Sequence, residues 1–118
     1  MPNPVVRWQI VSRNPEQVAS FYSSVFGWQV DTANAFGYRE LRSGDPGGID
    51  GGVWPRGEEG HDLLQLFIQV DDIDARITAA VERGATVIVP SSTLPDGDQM
   101  AILADPTGMT FGLVRSAG

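Results

Sequence analysis

Asp45-Pro46-Gly47-Gly48 and Asp105-Pro106-Thr107-Gly108 are one tight turn written twice, 60 positions apart in a chain of 118 residues. Aspartate supplies a short side-chain acceptor and proline presets φ, the chemistry such turns need. Before the first turn, residues 5–11 alternate, with Val6, Trp8 and Ile10 on one face and Arg7 and Gln9 on the other, as in a half-buried strand. Asn14-Pro15 then opens a helix, asparagine as cap and proline in the first turn. Its expected buried stripe is Val18, Phe21, Tyr22 and Val25, and Gly27 is placed to end it in a left-handed conformation. Strands are expected at about residues 28–32, 36–42 and 49–54.

The second half repeats the plan. Leu64, Leu66, Ile68 and Val70 form an aliphatic face; Leu63, Gln65, Phe67 and Gln69 form a mixed one. Asp71 or Asp72 caps a helix with the stripe Ile73, Ile77, Ala80 and Val81, and Gly84 ends it. Strands follow at about 86–89, 99–104 and 109–115, with residues 91–98 expected as a polar loop and 55–62 as a linker. The chain thus reads as an α+β protein of two strand–helix–strand–strand–strand modules, about 1–56 and 62–118, within a single domain, 1–118.

The chain has no cysteine, which rules out disulfides and thiolate metal sites and suits a reducing cytoplasm. Fifteen acidic against eight basic residues leave a net charge of −7, a field that repels a phosphate backbone and argues against nucleic acid as a partner. No stretch is long and apolar enough to span a membrane, and the start is not read as a signal peptide. In each module the aliphatic set is expected to meet the helices. The mixed set, with Arg7, Gln9, Gln65, Phe67, Gln69, Thr110 and Gly112, would then line a concave inner face and a wet pocket.

Four stretches carry a family resemblance. Phe21-Tyr22-Ser23-Ser24-Val25-Phe26-Gly27-Trp28, Gly47-Gly48-Ile49-Asp50-Gly51-Gly52, Val70-Asp71-Asp72-Ile73-Asp74 and the run from Asp105 to Leu113 stand in order along the chain. Together they resemble the vicinal oxygen chelate superfamily, which holds glyoxalase, bleomycin-resistance and extradiol dioxygenase proteins. The resemblance implies two tandem βαβββ modules forming an incomplete barrel, the glyoxalase/bleomycin resistance fold, and a homodimer. In metal-dependent relatives each module gives one ligand from its first strand and one from its last. By the repeat those positions here are Arg7, Gly52, Gln65 and Gly112. Arginine offers no lone pair, glycine has no side chain, and one glutamine amide does not hold a catalytic ion, so no metal and no cofactor are expected. His61, the single histidine, lies in the acidic linker and reads as a solvated residue.

The two glycines are expected to leave empty volume, and Arg7 to place a fixed cation beside it. Three readings of Arg7 stay open: an ion pair with Glu40 or Asp50, a bidentate grip on a ligand carboxylate or enolate, or an electrophile replacing the lost metal. Phe67, Tyr38, Trp54 and Phe36 are candidates to stack on a ligand, whereas Trp8 and Phe21 are expected to pack the core. Gln65, Gln69 and Gln99 would orient polar groups. The candidate ligand-binding set is Arg7, Gln9, Tyr38, Gly52, Trp54, Gln65, Phe67, Gln69 and Gly112; no catalytic residue is assigned. The expected function is metal-independent small-molecule binding, in the manner of drug or metabolite sequestration. The alternative is a glyoxalase-like lyase, isomerase or oxygenase acting on a small oxygenated substrate.

Overall fold

The computed structural model describes residues 2–33, 37–58 and 60–117. It divides into two compact units, residues 7–65, and residues 1–6 with 66–118. Strands β1 (Val5–Ser12), β2 (Gln29–Asp31), β3 (Arg39–Arg42) and β4 (Gly51–Pro55) and helix α1 (Pro15–Phe26) make the first module. Strands β5 (Leu63–Gln69), β6 (Thr86–Thr93), β7 (Gln99–Ala104) and β8 (Thr110–Arg115) and helix α2 (Ile73–Glu82) make the second. Each module is βαβββ, as the sequence repeat requires, and the fold is α+β.

In the unit of residues 7–65 the strand order is β2-β3-β4-β1, with β4 parallel to β1 and antiparallel to β3. Parallel pairing of β1 with β4 needs a crossover, and α1 provides it. The core is Ala19, Leu41 and Val53, with Trp8, Ile10, Val18, Tyr22 and Trp28 packed against it. Gly27 takes φ 75° and its N–H bonds the Ser23 carbonyl at 2.8 Å, closing the helix as expected.

The helix stripe is narrower than expected. Ala19 is buried and Val18 and Tyr22 half-buried, but Phe21 and Val25 stand 56% and 57% exposed. Phe21 lies two residues, about 200°, round the helix from Ala19, so both cannot face the core. Phe21 instead meets the edge of Tyr22, ring centroids 5.1 Å apart. Asn14 is the cap residue, but its side chain makes no capping bond. Its carbonyl accepts from Val18 N–H at 3.1 Å, and its own N–H donates to Ser12 Oγ at the same distance.

The other unit has the order β5-β8-β7-β6, with β5 parallel to β8 and the rest antiparallel. Val70, Ile73, Ala101, Leu103 and Leu113 form its core, joined by Ile68, Ile77 and Ala80. Asp72 caps α2 by accepting from Ala75 N–H at 3.1 Å, and Gly84 (φ 101°) follows its end. Val81, expected in the stripe, is exposed. So are Leu64 and Leu66, which were expected to meet a helix; the apolar packing of β5 under α2 begins only at Ile68. Residues 91–93, expected in a loop, extend β6 past two bulges.

Both repeated turns are built alike. The Asp45 carbonyl accepts from Gly48 N–H at 3.0 Å and its Oδ1 from Gly47 N–H at 2.7 Å. The Asp105 carbonyl accepts from Gly108 N–H at 2.9 Å and its Oδ1 from Thr107 N–H at 2.8 Å. Thr107 Oγ1 adds a further bond at 2.7 Å, and these bonds hold the Asp105 carboxyl below the ordinary carboxylate range.

Candidate functional site

The polar face of β1 is sheltered as well as the apolar one, on which Trp8 and Ile10 pack the core. Gln9 is 8% exposed and Arg7 half-buried, although Val5 and Val6 before them are exposed. Register brings Gln9 opposite Gly52 on β4, and Glu40 of β3 lies on the other side of Gly52. Gln65 is likewise 8% exposed, and its Oε1 is buried with no hydrogen-bond donor among the described residues.

The volume over the glycines is filled, contrary to expectation. A Cβ built on Gly52 would clash with the hydroxyl end of the Tyr38 ring, and one on Gly51 with the Trp8 indole and the Trp8 carbonyl oxygen. In the other unit a Cβ on Gly112 would clash with the ring of Phe67, its register partner on β5. Each glycine is a seat for an aromatic ring rather than a hole. Trp8 is locked there by its Nε1–H, which donates to the Ile49 carbonyl at 2.7 Å.

Arg7 stacks on the same ring that covers Gly52. Its guanidinium carbon lies 5.0 Å from the Tyr38 centroid, a cation–π contact. Burial pushes the guanidinium below its ordinary pKa, while Glu40 and Asp50 act in the opposite sense and Arg42 adds to the lowering. Arginine stays charged nonetheless. The ion pair read as one option from sequence is not formed: among the described residues no carboxylate comes within ion-pair distance of Arg7. Glu40 is held instead by Arg42, Nε to Oε1 at 2.7 Å, and Arg42 Nη2 also reaches Asp31 Oδ2 at 3.3 Å. Sequence reasoning missed this competition. Its signal was there: Glu40 and Arg42 sit two apart on one strand and therefore share a face.

Trp54 is half-buried, its ring 5.0 Å from that of Tyr38. Arg7, Tyr38, Gly52 and Trp54 thus gather in one unit, with Gln9 in register with Gly52. Phe67 and Gly112 meet in the other unit. Gln69 is half-buried and its N–H donates to the Pro4 carbonyl at 2.9 Å. Gln99 and Thr110, both half-buried, lie in β7 and β8. Phe36 falls outside the described residues. His61 is exposed, and Trp8 packs as expected.

The four positions that hold an ion in metal-dependent relatives do not fit one here. Two are glycines covered by rings, one is a cation, and one is a lone amide. Among the described residues no three histidine or carboxylate side chains converge on a common point. No helix among them is long and apolar enough to cross a membrane.

The fold recurs in solved structures. A hypothetical protein from Bacillus halodurans matches with TM-score 0.75 at 17% identity, over 100% of this chain and 97% of its own. Methylmalonyl-CoA epimerase of Streptomyces coelicolor, in complex with 2-nitronate-propionyl-CoA, matches with TM-score 0.68 at 17% identity, over 98% and 99%. By sequence, a candidate glyoxylase, CFP32, of Mycobacterium bovis and Mycobacterium tuberculosis is 27% identical over 112 residues, 92% of this chain. The chain spans only 42% of the length of those relatives. Residues 8–114 match the glyoxalase-like domain family, and the chain belongs to that family, within the vicinal oxygen chelate superfamily.

Proposed function

We propose that this protein is a metal-independent small-molecule-binding member of its superfamily, holding a ligand rather than transforming it. The observation that carries the reading is the Arg7 guanidinium, half-buried, stacked on Tyr38 and without a counter-ion among the described residues. Buried polar groups normally have partners, and a desolvated cation above all. Gln65 Oε1, buried without a donor among the described residues, supports the same conclusion. Both lie at positions where relatives place metal ligands. Their unmet hydrogen-bonding capacity suits an occupant that brings its own acceptor and donor.

The proposed set is Arg7, Gln9, Tyr38, Gly52, Trp54 and Gln65 in one unit, and Phe67, Gln69 and Gly112 in the other. Both modules are taken as one domain, 1–118. Among the described residues no carboxylate pairs with Arg7 as a general base, which supports binding over catalysis. The absence of cysteine suits a cytoplasmic setting. A homodimer belongs to the reading: Phe21, Val25 and Phe26 of α1 stand more than half exposed, and a second copy would cover them.

Metal analysis of purified protein, followed by a ligand screen on chelator-treated protein with tryptophan fluorescence as readout, tests the reading. Saturable quenching by a small molecule at undiminished amplitude after chelation is the expected result. Stoichiometric metal, with binding or turnover abolished by chelation, would contradict it.

A further inference from the structure

The geometry points to the chemical class of the ligand: we propose that Arg7 and Tyr38 anchor a small monocarboxylate with a planar, apolar body. This rests on the binding reading above and narrows it. The guanidinium carbon sits over the Tyr38 ring, 5.0 Å from its centroid, and the five N–H donors of a guanidinium lie in its own plane. No hydrogen bond from that rim to a described residue is present. A carboxylate fits the rim with two parallel bonds.

Glu40 is the natural internal competitor, and Arg42 holds it at 2.7 Å. Asp50 lies on an exposed segment before β4 and comes no nearer than the ion-pair limit. The charges of this locality are Arg7 and Arg42 against Glu40, Asp50 and Asp31. Two cations against three anions leave this locality at −1, in a protein of net charge −7. One added negative charge is offset by the bidentate contact; a dianion such as phosphate meets repulsion that one guanidinium does not offset. The half-buried Trp54 ring, tilted 36° to Tyr38, supplies apolar surface beside the anchor. A flat conjugated body uses it at little entropic cost.

The test is titration of chelator-treated protein with benzoate, benzamide, benzylammonium and inorganic phosphate, followed by tryptophan fluorescence and calorimetry. Benzoate should saturate and bind about tenfold or more tightly than benzamide, as a charge-assisted pair requires. Phosphate at equal concentration should not displace it. Arg7→Gln should lower benzoate affinity about tenfold or more and benzamide affinity by much less, so that the preference for the carboxylate disappears. Equal binding of benzoate and benzamide, preference for benzylammonium, or displacement by phosphate would overturn the carboxylate class while leaving small-molecule binding intact. Silence from all three aromatic probes would overturn the class as well, and the broader ligand screen then judges binding separately. Should Arg7→Gln fail to fold, the benzoate-to-benzamide ratio on the unaltered protein still decides.

Discussion

The guanidinium of Arg7 lies over the ring of Tyr38, its carbon 5.0 Å from the centroid, and that ring in turn occupies the space above Gly52. A cation, an aromatic ring and a glycine are stacked where relatives place two metal ligands. The order of the stack explains the sequence. Glycine at 52 is required because any Cβ would intrude on the ring, and the ring is held because a cation caps it.

Placing a carboxylate at position 52 should therefore harm the protein rather than create a metal site. Gly52→Glu is expected to cost about 1–3 kcal/mol or more, the scale of overpacking a filled core. Urea denaturation measures the cost, and calorimetry with zinc should show no new site. A stable variant that binds zinc would mean the ring is easily displaced.

The matching pair in the other unit gives a second contrast. Gly112→Ala forces a methyl into the Phe67 ring and should also cost about 1–3 kcal/mol. Gly57→Ala, with open space around it and no positive φ, should be neutral or stabilising by about 0.4–1 kcal/mol. Equal effects at the two positions would remove the packing explanation.

Much of this architecture was legible beforehand, because it rests on local chemistry. The paired Asp-Pro turns, Gly27 and Gly84 after the helices, and the first and last strands of each module depend on residues near in sequence. Burial was less legible. Phe21, Val81, Leu64 and Leu66 are apolar and correctly spaced, yet exposed, since helical spacing defines a stripe but not its width or where the sheet beneath it ends. The glycine seats were misread as empty, because a glycine signals close approach without saying of what. That Arg42 would win Glu40 from Arg7 was legible in principle, since the two sit two apart on β3 and share a face, but it was overlooked.

Helix capping separates two residues that look alike in sequence. Asp72 accepts a bond from Ala75 N–H, whereas the Asn14 side chain makes none. Asp72→Ala should cost about 1 kcal/mol and Asn14→Ala only a few tenths. Thermal denaturation of both variants checks the difference, and an Asn14 effect as large as that of Asp72 would contradict it.

Asp105 should contribute to acid sensitivity. Its bonds with Thr107 hold the carboxyl below the ordinary range, so its folded pKa lies under its unfolded one. The stability it gives is present above the unfolded value, about 3.9, and is lost as pH falls through the folded value. The stability gap between the protein and its Asp105→Asn variant should therefore hold from neutral pH down to about 4 and shrink below it. Denaturant midpoints across that range measure it; a gap that widened on acidification would reverse the assignment.

Amide spectra recorded during a Mn2+ titration probe the glycine-and-arginine positions directly, since paramagnetic broadening reports any ion seated near a backbone N–H. At one equivalent, the amides of Arg7, Gly52, Gln65 and Gly112 should keep their line widths while exposed acidic segments broaden weakly and without saturation. Selective, saturable broadening of those four amides would show an ion bound at these positions and end the account.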